Sequence, residues 1–328
     1  MLDILSLGRA APSGHFTPAQ IEQIRRTVRR VPEVMLKVTG GGSRVGAVAA
    51  HFSYISRKGN LEMETSEGFR TSGLDAQKTL LNSWHLELST GQYRAPRDGR
   101  STARRTKLVH NIVLSMPSPT PADKVLAAAR KFAREKFADQ HRYAMVLHTD
   151  QKHPHVHMVV KAESEDGHRL HIDKEMLRTW REDFARMMRE QGVAANATPR
   201  VLRGKNKGKT KDTIYRAQLR GESHEVRDRV TDVVRELRST GTVRDPANSH
   251  LVETRKALVA AWLRTADQLD AQGEAVLASE VRHFSRHLPP VLTDRERLAA
   301  QFLKYRESLK AMSPGSENSR RRHDELTR

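Results

Sequence analysis

The chain has 328 residues, with 58 Lys and Arg against 39 Asp and Glu, a formal charge of +19 and no cysteine. That balance predicts a polyanionic partner, nucleic acid ahead of an anionic membrane. The lack of cysteine excludes disulfides and thiolate metal sites, so any metal must be held by His, Asp, Glu or backbone. No apolar run approaches the ~20 residues that a membrane span needs, and the start of the chain does not read as a secretory signal. The expectation is a soluble, cytoplasmic protein without membrane insertion, of about two domains at roughly 150 residues each.

In chain order, Thr17 and Pro18 open a short basic helix, "TPAQIEQIRRTVRR", expected within an N-terminal extension over 1–32. A strand is predicted at 33–39 and turned by "GGG". The spacing of Val45, Val48, Ala49, Phe52 and Ile55 then predicts a helix over 44–58, capped by Ser43 and ended by Gly59. Residues 60–106 are harder to read: "NSWHLEL" (82–88) is taken as a strand and the stretch after it as a flexible basic loop. A strand at 107–116 follows, then a helix opened by Thr120, Pro121 and Asp123. The runs 142–148 and 155–162, separated by six polar residues, predict a β-hairpin.

Residues 173–192 predict a helix whose Met176, Leu177, Trp180, Phe184, Met187 and Met188 stripe reads as core. This order predicts an α+β fold, a central mostly antiparallel sheet flanked by helices over 33–199, followed by a helical C-terminal region. "RGKNKGKTK" lies in a basic linker, 200–214. Helical periodicity returns over 215–312, before a disordered tail at 313–328.

The stretch "HTDQKHPHVHMVVK" carries the first chemistry. Side chains two apart on a strand share a face, so His155 and His157 point one way and Val156 and Met158 the other. Two imidazoles at that spacing can converge on one ion. His148, at the end of the facing strand, and His153, in the turn before Pro154, are both candidates for a third ligand, and Asp150 is placed to orient an imidazole. A solvated turn with one buried histidine is the plainer alternative, but it leaves the clustering unexplained.

A metal on a basic protein suggests phosphoryl chemistry on nucleic acid, which needs an attacking group. Of five tyrosines, Tyr54 lies near the end of the 44–58 helix, where Arg57 and Lys58 would surround it with positive charge. The other reading is a half-buried tyrosine of an amphipathic helix.

"AHFSYISRKG", "HNIVLSMP" and "HTDQKHPHVHMVV", in that order, resemble the three motifs of conjugative relaxases. The likeness is to HUH endonucleases of the mobilisation-protein and T-DNA border endonuclease-like type, and covers roughly 33–195. It implies Tyr54 as nucleophile and a divalent ion, Mg2+ or Mn2+, held by histidines among His148, His153, His155 and His157. It also implies a catalytic place for Asp150 in the third motif and a grip on DNA by Ser115. Arg57, Lys58, Lys205, Lys207 and Lys209 are counted as further DNA contacts.

The implied function is nicking of one DNA strand at a transfer origin through a 5′-phosphotyrosine, with later rejoining. The implied partners are single-stranded or melted DNA, accessory relaxosome proteins and a coupling or secretion apparatus. A rolling-circle replication initiator, a water-using metal nuclease and a non-catalytic DNA-binding protein are the competing readings. Two features depart from the family pattern: about 32 residues before the first motif, and Lys152 where an acidic residue is common.

Overall fold

The computed structural model describes residues 15–88, 106–138, 140–205 and 224–312. Tyr93, Tyr215, Lys207, Lys209, most of the basic loop and the tail lie outside them. Contacts divide the chain into two units, one of residues 17–198 and one of the described residues from 199 onward with His15 and Phe16.

The first unit opens with α1 (Pro18–Val28), held by a reciprocal cap. The Gln20 N–H donates to the Thr17 hydroxyl at 3.3 Å and the Thr17 N–H to the Gln20 side chain at 2.8 Å. The sequence placed this helix in an extension. Its inner face packs on the sheet unit: Ile24 is fully buried, and the Asn196 amide donates to Thr27 Oγ1 at 3.2 Å.

There follow β1 (Met35–Gly40), α2 (Val45–Ile55), β2 (Met63–Thr65), β3 (Arg70–Thr71), α3 (Leu74–Ser83) and β4 (Val109–Ser115), then α4 (Ala122–Phe137), β5 (Tyr143–His148), β6 (His155–Lys161) and α5 (Lys174–Glu190). The six strands form one antiparallel sheet in the order β1-β4-β6-β5-β2-β3. The predicted antiparallel sheet with flanking helices is therefore present. The Asp173 carboxylate caps α5 by accepting from the Met176 N–H at 2.7 Å.

Each face of the sheet carries its own core. Met158 and Val160 on one side pack with Phe132, Phe137, Trp180 and Phe184 of α4 and α5. Val146 and Val159 on the other pack with Val48, Phe52 and Ile55 of α2 and with Trp84. A central strand buried on both faces needs apolar residues at both parities. The strand β6 has them, except where His155 and His157 break the α2 face.

Three local expectations change. Helix α2 begins at Val45 with no side-chain cap from Ser43. Its entry is set by packing, since a Cβ on Gly41 would lie 2.1 Å from the Val109 carbonyl oxygen. The start of α4 likewise has no cap from Thr120, whose hydroxyl donates to the Pro117 carbonyl at 2.7 Å. The run 82–88 is not a strand. α3 ends at Ser83, His85 adopts φ 47°, and Trp84 and Leu86 turn into the α2-side core, Trp84 meeting Phe52 edge-on at 5.5 Å.

The second unit holds α6 (His224–Thr240), α7 (Asn248–Ala271), α8 (Ala275–Arg286) and α9 (Asp294–Met312). Gly273, at φ 82°, lies in the reversal between α7 and α8, which meet through Trp262 and Phe284 at 5.2 Å. Among the described residues no helix is long and apolar enough to cross a membrane.

Candidate active site

The β5–β6 hairpin sets His148 directly opposite His155, with His157 two residues along on the same face. The ring centroids of His148 lie 5.0 Å from His155 and 4.6 Å from His157, and those two lie 5.1 Å apart. One ring nitrogen from each falls within 4.8 Å of the other two.

Hydrogen bonds to carbonyl oxygens, which only accept, assign two tautomers. His148 Nε2 donates to the Ile55 carbonyl at 2.5 Å, leaving Nδ1 as an acceptor, which the Arg57 guanidinium approaches at 3.4 Å. His155 Nδ1 donates to the His153 carbonyl at 3.0 Å, leaving Nε2 free. Burial pushes the His157 imidazole down to about 3, aided by the neighbouring rings, and burial also lowers His148. These two imidazoles are neutral at neutral pH and need shed no proton to bind an ion. Three imidazole nitrogens facing one another fit a divalent ion with positions left open for substrate oxygen.

His153 stands outside this group: its Nδ1 accepts the Ser118 N–H at 3.1 Å. Asp150 does not orient an imidazole either. Its carboxylate is ion-paired with Arg57, which holds it below the usual carboxylate range. The Arg57 guanidinium is thereby placed 3.4 Å from His148 Nδ1 and 5.4 Å from the centre of the Tyr54 ring.

Tyr54 occupies the last turn of α2 and is 56% exposed. Its ring stands edge-on to His157 at 6.4 Å. The helix was expected to run through Arg57 and Lys58, but it stops at Ile55. Arg57 and Lys58 then take left-handed angles, φ 53° and 58°, ahead of Gly59 at φ 89°.

Such conformations cost of order 1–3 kcal/mol each and persist where the surroundings enforce them. Here the Gly59 N–H donates to the buried Ser56 hydroxyl at 3.1 Å, the Gln77 amide of α3 donates to the same oxygen, and the Gly73 N–H donates to the Gly59 carbonyl at 2.9 Å. The turn swings Arg57 back toward Asp150 and leaves Lys58 exposed.

Ser115, expected to grip DNA, is buried and its hydroxyl donates to the Pro154 carbonyl at 3.0 Å, which ties down the histidine turn. Lys205 is exposed in the second unit. The sequence reading missed His51, whose ring stacks beside Tyr54 at 6.2 Å and meets His157 at 6.5 Å. Its i, i+3 spacing from Tyr54 on one helix face was the available signal. Gln77 carried none.

Residues 54–193, which open at Tyr54 and contain the whole histidine hairpin, match the family described as relaxase, MobA/VirD2-like, nuclease domain. This segment is therefore similar to the nuclease domains of relaxases. The chain is 28% identical over 214 residues to the T-DNA border endonuclease VirD2 of Agrobacterium fabrum, covering 60% of this chain and 46% of that protein. The VirD2 of Rhizobium rhizogenes is 28% identical over 191 residues, covering 53% and 42%. The chain thus spans less than half the length of these curated relatives. A solved chain from a study titled Molecular Basis of Vancomycin Resistance Transfer in Staphylococcus aureus aligns with 51% of this chain and 98% of its own length. It does so at 10% identity and TM-score 0.31, too loosely to bear on the site.

Proposed function

We propose that the relaxase domain nicks one strand of DNA at a transfer origin, using Tyr54 as nucleophile, and later rejoins it. The observation that carries this reading is an exposed phenol 6.4 Å from one of three clustered imidazoles. A divalent ion held by His148, His155 and His157 would supply Lewis-acid polarisation of the scissile phosphate. Of Mg2+ and Mn2+, the all-nitrogen donor set favours Mn2+, because Mg2+ demands oxygen ligands.

Tyr54 Oη forms the new bond to phosphorus while the bond to the 3′ oxygen breaks. The phenolic proton leaves to the solvent that the exposed ring faces, and the departing 3′ oxygen takes one up. The phosphodiester energy is retained in the 5′-phosphotyrosine, so a 3′-hydroxyl can reverse the step and close the strand. Arg57, fixed by Asp150, sets a positive charge where the phosphate oxygens gain negative charge. Ser115 and the Ile55 carbonyl act on geometry, by fixing the histidine turn and the His148 ring.

The proposed division is a relaxase domain over 33–199, a basic linker to 214, helical accessory segments to 312 and a tail. Origin DNA, relaxosome proteins and a coupling apparatus are its proposed partners. Chelation should abolish cleavage of an origin-bearing strand and added Mn2+ should restore it, whereas His157→Ala should stay inactive with Mn2+. Undiminished cleavage in excess chelator contradicts the reading.

A further inference from the structure

A second cluster lies at the other end of β5 from His148 and on the opposite face of the sheet. Tyr143, 3% exposed, lines with Glu64, Arg70, Arg130 and Arg134 a cavity of about 260 Å³ closed by the turn after β2. Its pairing partner β2 contributes Glu64, next to Thr65, which registers with Ala144.

Glu64 is occupied: Arg130 Nε reaches both carboxylate oxygens at 2.8 and 2.9 Å, and Arg70 stands 3.7 Å away. Three guanidinium groups against one carboxylate leave the cavity positive. Arg134 is exposed and pairs with no acid among the described residues. The Tyr143 hydroxyl has no hydrogen-bond partner among them either. Burial raises its pKa, so it remains a proton donor. Between the lining residues Gly68 and Arg70, Phe69 is 67% exposed, on a turn whose Gly68 has φ 82° and whose ends meet through the Thr65 N–H and the Phe69 carbonyl at 2.9 Å.

We propose that this corner binds one nucleotide unit of single-stranded DNA outside the nick site. The phosphate lies against Arg134, Arg70 and the Tyr143 hydroxyl, and the base lies on the Phe69 ring. The inference rests on the DNA-nicking reading above, but involves none of its residues. Cations and a phenol donor, with the lone acid already paired, suit a phosphate oxygen. An exposed ring beside them accepts the face of any base, which requires an unstacked strand. Tyr143 and His148 are five residue steps apart along β5, about 17 Å. The strand bound here must therefore round the β2–β3 edge, and the corner grips flanking DNA while leaving the nicked phosphate free.

The test is fluorescence anisotropy of the full chain with a labelled thirty-nucleotide oligo-dT over a range of salt concentrations. Phe69→Ala should weaken binding about five-fold or more, the loss of one base–aromatic stack. Arg134→Ala should reduce the slope of log affinity against log salt by about 0.7, one phosphate contact on a single strand. Tyr143→Phe, which keeps the packing, should weaken binding without changing that slope. Lys174→Ala, an exposed cation outside the corner, reports the effect of losing any surface charge. If Phe69→Ala binds as wild type and Arg134→Ala matches Lys174→Ala, the corner is not a DNA site while the nicking reading stands. If the wild-type chain fails to bind the oligo-dT at all, the corner proposal falls, and the nicking reading is judged separately by adduct formation on an origin oligonucleotide.

Discussion

Arg57 touches three parts of the centre at once: it is paired with Asp150, stands 3.4 Å from His148 and lies over the Tyr54 ring. Asp150 raises its affinity for its proton and takes the guanidinium's orientation in hand. In the proposed reaction, removing Arg57 takes a fixed positive charge from the place where the phosphate gains negative charge. Arg57→Ala is therefore expected to slow adduct formation about a hundred-fold, the loss typical of one preorganised donor. Arg57→Lys should recover only part, because an ammonium cannot make the forked contact. Single-turnover rates on an origin oligonucleotide measure both, and a wild-type rate in Arg57→Ala would remove the residue from the centre.

At the scale of elements, the reach of Arg57 depends on the turn between α2 and α3. Gly59 combines φ 89° with a close approach in which a Cβ would sit 2.8 Å from Gly73 Cα. Gly59→Ala should cost upwards of about 1 kcal/mol from the left-handed angle alone, read as a lower urea midpoint, with a matching fall in cleavage as Arg57 shifts. An unchanged midpoint would show the turn to be relaxed.

This turn also marks where sequence reading stopped. The β5–β6 hairpin, β4 and the helix of Trp180 and Phe184 were legible because period-2 or period-3.6 apolar spacing serves one burial face. His155 and His157 were legible for the same reason, two like groups at one parity. The short strands β2 and β3 offer five residues between them, too few for a period, and α3 buries a glutamine. Trp84 and Leu86 alternate like a strand, yet Trp84 packs from a turn and Leu86 from helical residues 86–88. Ser56 and Gln77 act through hydrogen bonds between segments about twenty residues apart, which no local pattern carries.

For the whole molecule, the formal charge of +19 favours a polyanionic partner but says nothing of the chemistry; the proposed chemistry lies in one hairpin and one helix end. Burial sets a further property of the entire sheet unit. His51, His141 and His148 are all pushed below their ordinary value chiefly by burial, His110 to about 4 and His157 to about 3. The unfolded chain takes up these protons near pH ~6.5 and the folded chain only at lower pH, so stability is full above that value and falls on acidification. The urea midpoint of the metal-free protein should drop steadily between pH 7 and pH 4, and a flat or rising midpoint would contradict the buried, neutral state of these rings.

The central claim, that Tyr54 is the nucleophile, is tested most directly by the covalent adduct. The full chain, incubated with Mn2+ and a single-stranded origin oligonucleotide, should form a complex that survives denaturation, with mass spectrometry placing the 5′-phosphate on the peptide containing Tyr54. Tyr54→Phe should bind the same oligonucleotide with wild-type affinity and form no adduct. An adduct from Tyr54→Phe, or cleavage by that variant at the wild-type rate, would contradict the account.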